Sequence, residues 1–212
     1  MQRMIDDIYN TMPWNEIDTV IFDVGQVLLS FEPGNILEQE YPGQKELHDK
    51  LMVRMFKSPY WIMMDHGTIT NEEAIDAMVG RDESLRPAIK HILHHWIDFK
   101  HVITEGVEAV KVCKAHGKKL YVLSNYNGKS FDYACKQYDF FLLFDDKIVS
   151  SRVHLVKPDP AIYKYVTEKY ELMPSRTLFI DDSPANIEAA LHAGWQGFCM
   201  NKAGKLHEFI CG

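Results

Sequence analysis

Four short runs of β-branched and aromatic residues, each stopped by polar side chains, set the strongest limit on what this chain folds into. They are DTVIFDVGQVLL (18–29), KLYVLSN (119–125), DKIVSS (146–151) and TLFIDD (177–182). Each reads as a brief buried strand that ends in a polar loop, and Gly25 gives the first loop a backbone freedom other residues lack. Between and after these runs lie helical patterns at 105–117, 128–138, 160–170 and 184–194, with Pro160 and Pro184 near two starts and Gly117 and Gly194 as stops. Strands alternating with helices predict βαβ units, hence an α/β fold with a parallel sheet covered on both faces. Function then belongs at the carboxyl ends of the strands.

Residues 33–104 break this rhythm. They hold helical patterns (QKELHDKLMVRMF, NEEAIDAMVG, LRPAIKHILHHWI) and no convincing strand. That is too much chain for one crossover, so it predicts an inserted helical cap, with connectors near 31–34 and 100–105. The expected organisation is an N-terminal extension (1–17), a core of 18–32 and 105–212, and a cap of 33–104. Met52, Met55, Met63 and Met64 read as cap core. Asp65, His66 and Gly67 read as a polar break ahead of a Thr70-x-x-Glu73 capping box, in a loop that either overhangs the site or is a plain connector. His91 and His95, four apart on a helix, read as a solvated face rather than a metal site.

Lys and Arg number 23 against 30 Asp and Glu, a formal charge of −7. With no basic cluster, the chain is not expected to bind nucleic acid. Cys113, Cys135, Cys199 and Cys211 are widely spaced, without a zinc or redox pattern, and read as reduced thiols. No stretch has the length of a signal peptide's apolar region or a membrane span, so the expectation is a cytoplasmic protein without a membrane partner. The oligomeric state is not legible.

The residues at the strand ends are Asp23, Ser124 with Asn125, Lys157 in HLVKPDP, and Asp181 with Asp182. Crowded carboxylates repel one another and are costly to desolvate, so such a site wants a hard cation such as Mg²⁺ shared with a substrate phosphate. Lys157 and the Ser124 hydroxyl would cover the remaining phosphate oxygens. Asp181 and Asp182 are adjacent, and in extended backbone their side chains point opposite ways, so one of them is expected to ligate directly. A helix N-cap role ahead of Pro184 is compatible with either.

Asp-x-Gly-x-Val after a strand, Ser-Asn after a strand, Lys-Pro-Asp-Pro, then Asp-Asp-Ser-Pro-Ala-Asn together resemble the four motifs of the haloacid dehalogenase-like superfamily. The insert position resembles its C1-cap subclass, and FDVGQVLL, IVSS, KPDPAIY and FIDDSPANIEAA resemble its bacterial sugar-phosphate branch, which includes glucose-1-phosphate phosphatases. The resemblance implies a Rossmann-like core and a Mg²⁺-dependent phosphatase acting on a small phosphorylated metabolite. Asp23 would be the nucleophile, forming an aspartyl-phosphate. Asp23, the Gly25 carbonyl and Asp182 would hold the metal, with Asp181 behind them, and Ser124, Asn125 and Lys157 would bind phosphate.

Gly25 stands where most phosphatases of this family carry the Asp that protonates the leaving oxygen. Such an acid contributes about 10²–10⁴-fold. Its loss predicts a steep dependence of rate on leaving-group basicity, with sugar 1-phosphates and aryl phosphates favoured over sugar 6-phosphates. The alternatives are a dehalogenase, a phosphonate hydrolase that would need a cap lysine (Lys57 or Lys90), and a non-catalytic module binding a phosphorylated ligand.

Overall fold

A computed structural model describes residues 14–200 together with Leu206 and Ile210. Five strands form one parallel sheet: β1 (Thr19–Phe22), β2 (Lys119–Ser124), β3 (Asp146–Val149), β4 (Thr177–Asp181) and β5 (Gln196–Cys199), in the order β3-β2-β1-β4-β5. Thr19 pairs with Lys119 on one side and Thr177 on the other, so β1 lies at the centre. β5 escaped the sequence reading because QGFC is short and its Gly197 adds no side chain to a periodic pattern. The third and fourth apolar runs end as strands at Val149 and Asp181, two residues and one residue earlier than expected.

Alternate β1 side chains face opposite layers. Val20 and Phe22 join a cluster with Val107, Val110 and Cys113, whereas Ile21 joins one with Ile162, Tyr163, Val166 and Ile187. The first layer contains the helix at Thr104–Ala115, and the second the helices at Pro160–Lys169 and Pro184–His192. Gly106 permits the first of these to approach the loop after β1, because a Cβ there would lie 1.9 Å from the Val27 carbonyl oxygen.

Between β1 and β2 the regular structure is helical, the insertion the sequence predicts. Its helices are α1 (Pro33–Glu40), α2 (Lys45–Leu51) running into a π-helical turn (Met52–Phe56), α3 (Pro59–His66), α4 (Asn71–Val79) and α5 (Arg86–His95). Met55 and Met64 are buried there, with Met52 half-buried against the same core. The capping box of Thr70 and Glu73 is formed. Asp65 and His66 are the last residues of α3, not a break: PYWIMMDH is apolar on nearly every side, which hid its helical period. The two connectors run side by side, with Ser30 N–H donating to the His101 carbonyl at 2.8 Å and Ile103 N–H to that of Leu28 at 2.9 Å.

His91 pairs with Glu40, and His95 with Asp98 at 3.2 Å. Cys211 and most of the N-terminal extension lie outside the described residues. No helix among the described residues is long and apolar enough to cross a membrane.

Candidate active site

The ends of β1, β2 and β4 deliver Asp23, Ser124 and Asp181 to one place, since all three strands run parallel and in register. Lys157 reaches them from the loop after β3 and a one-turn helix (Ser150–Val153). Its ammonium, 1% exposed, sits 2.9 Å from Asp23 Oδ1 and 2.6 Å from Asp181 Oδ2. The Ser124 hydroxyl donates to Asp23 Oδ1 at 2.7 Å. Asn125 clamps the lysine's backbone: its amide N–H donates to the Lys157 carbonyl and its amide oxygen accepts from Lys157 N–H, both at 2.8 Å. Asn125 lines the cavity, but the structure gives its amide this positioning contact.

Asp181 is fully buried and accepts from Ser183 N–H at 2.8 Å and from the Asn186 amide at 2.9 and 3.0 Å. Asp182 is half-buried beside it. The expected opposition of their side chains does not hold, because β4 ends at Asp181 and the backbone bends at Asp182. Oxygens of Asp23, Asp181 and Asp182 therefore lie within 4.8 Å of one another, the cluster with metal-ligand spacing found among the described residues.

Burial raises the Asp23 carboxyl pKa, with Lys157 pulling against it and Asp181 adding to it. Burial alone would lower Lys157, yet Asp181 and Asp23 outweigh it and hold the ammonium above its ordinary value. Asp182 is pushed up to about 6, first by burial and then by Asp23 and Asp181. An anionic cluster with a single ammonium is a site that favours a dication.

Asp23, Gly25, Ser124 and Lys157 also line a cavity of about 130 Å³. Its lining continues through Phe31, Trp61, Asp65, Trp96, Lys100 and Tyr126. Trp61 and Trp96 meet edge-on with centroids 5.3 Å apart, and Trp96 stacks on Tyr126 at 5.3 Å. Lys100 is 6% exposed, donates to the Ser30 carbonyl at 2.8 Å, and lies 4.8 Å from the centroids of both Phe31 and Trp96. Burial lowers its pKa to about 7 despite Asp23 and Asp65. Burial likewise pushes Asp65 up to about 7, opposed by a hydrogen bond from Asn127 N–H and reinforced by Asp23. The Tyr126 hydroxyl is buried without a hydrogen-bond partner among the described residues.

The sequence reading missed Lys100, Asn186 and the aromatic wall, and named Asp65 only as part of an overhanging loop. Asn186 was discoverable inside Asp-Asp-Ser-Pro-Ala-Asn. Lys100 carried no local signal, and the cap lysines weighed in its place, Lys57 and Lys90, are both exposed and away from the cavity.

The sequence profile of the haloacid dehalogenase-like hydrolases matches residues 17–194. Among curated relatives, a drimenol cyclase of Aspergillus calidoustus is 23% identical over 193 residues, covering 90% of this chain. The chain spans only 35% of that relative's length. The phosphorylated carbohydrates phosphatase of Thermotoga maritima is 24% identical over 185 residues, 84% of this chain and 82% of that protein. A solved enzyme of the same family from Bacteroides thetaiotaomicron, in complex with magnesium and inorganic phosphate, aligns with a TM-score of 0.68 at 24% identity, covering 89% of this chain and 96% of that one. The L-2-haloacid dehalogenase of Xanthobacter autotrophicus, with chloropropionic acid covalently bound, aligns with a TM-score of 0.62 at 17% identity, covering 85% and 76%. Both likenesses show a shared fold.

Proposed function

This chain belongs to the haloacid dehalogenase-like hydrolase family, and we propose that within it the protein is a magnesium-dependent phosphomonoesterase acting on a small phosphorylated metabolite, a sugar phosphate. The observation that carries this reading is the convergence of Asp23, Asp181 and Asp182 around the Lys157 ammonium at the strand ends. A carboxylate nucleophile beside a fixed cation suits attack on an anionic phosphorus centre.

The donor set fits Mg²⁺, which takes hard oxygen ligands and shares phosphate oxygens. Asp23, Asp182 and the Gly25 carbonyl would hold the ion, with Asp181 behind them. When bound, it offsets charge on the two anions that must approach each other. Asp23 attacks phosphorus and forms an aspartyl-phosphate as the ester oxygen departs, and water then attacks phosphorus and frees Asp23. Lys157 neutralises Asp23 and the phosphoryl oxygens through both steps, and the Ser124 hydroxyl donates to the same group.

The sugar-phosphate assignment is supported by the relative named for phosphorylated carbohydrates, and by a cavity with flat Trp faces and polar groups on one side. Residues 33–104 act in this reading as the cap that supplies Trp61, Asp65, Trp96 and Lys100 to the wall, over a core of 18–32 and 105–212.

Asp23→Asn tests the proposal, since it preserves shape and removes the nucleophile. Turnover of a phosphate-ester library should vanish while the circular dichroism spectrum stays. Beryllium fluoride, standing in for the aspartyl-phosphate, should bind the wild type only with Mg²⁺. Retained turnover, or metal-independent binding, overturns the reading.

One observation favours a second reading: a buried lysine, Lys100, with a depressed pKa in the same cavity suits imine formation with a phosphonate aldehyde. Inactivation by borohydride only in the presence of such an aldehyde would select it.

A further inference from the structure

The phosphatase reading leaves the leaving oxygen without a donor at Gly25. That position is open: a Cβ built there has Asp23 Oδ2, at 3.9 Å, as its one neighbour within 4 Å. The cavity itself answers the gap. Among the described residues, the one acid in its lining apart from Asp23 is Asp65, near the C-terminal end of α3. Building on that reading, we propose that Asp65, supplied by the helical insertion, is the proton donor to the leaving oxygen.

Three features support the assignment. Asp65 is held in place: Ser150 donates its hydroxyl hydrogen to the Asp65 carbonyl, and Gly67, in the left-handed conformation (φ 76°), closes the helix against Ser151. Its surroundings raise its carboxyl to about 7, through burial and Asp23, so it carries a proton below that pH. The buried Tyr126 hydroxyl, from a residue that lines the same cavity, has no hydrogen-bond partner among the described residues. The titratable groups facing Asp65 are Asp23 from the sheet, Lys100 from the connector and Tyr126 from the loop after β2.

In the first step an Asp23 oxygen bonds to phosphorus and the ester P–O bond breaks. The bonding pair goes to the leaving oxygen, which takes the Asp65 proton, and Asp65 is left as carboxylate. In the second, that carboxylate takes a proton from water as its oxygen attacks phosphorus, and Asp23 leaves with its own pair.

The inference replaces the steep leaving-group dependence that Gly25 alone predicts with a shallow one. Alcohol release in a single turnover with Mg²⁺ reads it, using dinitrophenyl phosphate, phenyl phosphate, glucose 1-phosphate and glucose 6-phosphate. Wild-type rates should vary little across the series. Asp65→Asn should lose about 10²–10³-fold on glucose 6-phosphate and under about 5-fold on dinitrophenyl phosphate, because an acidic leaving group needs no donor. It should also lose the decline in rate above about pH 7, while still trapping beryllium fluoride with Mg²⁺, which shows the site intact. Gly25→Asp in the Asp65→Asn background should restore a donor and flatten the slope again. Equal losses on every ester, no loss, or a slope steepened by Lys100→Met instead, each overturns the role of Asp65. If the wild type neither turns over any ester nor traps beryllium fluoride, the phosphatase reading itself fails.

Discussion

Asp181 and Asp182 are chain neighbours with different work. Asp181 is committed to Lys157, Ser183 N–H and Asn186, whereas Asp182 is half-buried at the bend. Asp182→Asn should therefore weaken Mg²⁺ more than Asp181→Asn, read by titrating activity against the metal, as losing a ligand costs more than losing its support. Asp181→Asn should cost more stability, about 3 kcal/mol or above in urea unfolding, because it strips the nearer of two carboxylate partners from a buried ammonium. Reversed rankings would move the direct ligand to Asp181. Asp65 gives a pH signature at the same scale. An acid whose native pKa is raised binds its proton more tightly folded than unfolded, so its contribution to stability is lost as pH climbs from about 4 to about 7. Asparagine has no charge to bury. The midpoint temperature of Asp65→Asn relative to wild type should rise by roughly 5 °C between pH 5 and pH 8, and a constant difference would mean that Asp65 is solvated.

At the scale of elements, the C-terminus of α3 is the joint between the insertion and the sheet. Gly67 caps it in a backbone conformation that alanine resists by about 1–2 kcal/mol, and a Cβ there would come 2.3 Å from the Ser151 carbonyl oxygen. The Ser150 hydroxyl, which also accepts from Tyr126 N–H at 2.9 Å, ties that end of α3 to the β2 loop. Gly67→Ala should cost about 2 kcal/mol or more of stability, read as a lower urea midpoint at an unchanged m-value, and slow the enzyme on basic leaving groups before acidic ones by displacing Asp65. Unaltered stability would mean that the two elements part readily.

For the whole molecule, a net charge of −7 gathers part of its excess at the cluster of Asp23, Asp181 and Asp182. A cation that binds only the folded chain stabilises it by about 2.7 kcal/mol at a hundred times its dissociation constant. Mg²⁺ should thus raise the midpoint temperature by about 5 °C or more in a chain of this size. EDTA should reverse the shift and Asp182→Asn should shrink it. An equal shift in that variant would place the ion elsewhere.

The strand ends were legible because they are local: a brief apolar run stopped by Asp, Ser-Asn or Asp-Asp announces both the strand and the polar groups at its carboxyl end. Parallel register then brings Asp23, Ser124 and Asp181 together, and the alternation with helices requires that register. The same locality made the helical insertion visible as seventy residues without a strand. What the sequence could not determine is the wall of the cavity. Asp65 and Lys100 stand on an unpatterned helix and a connector, far apart in the chain. They come to line one cavity with Asp23 only because α3 ends on Gly67 against Ser151 and the two connectors lie side by side. Their charge states follow from burial, a property of the packed molecule that no residue carries in its own name.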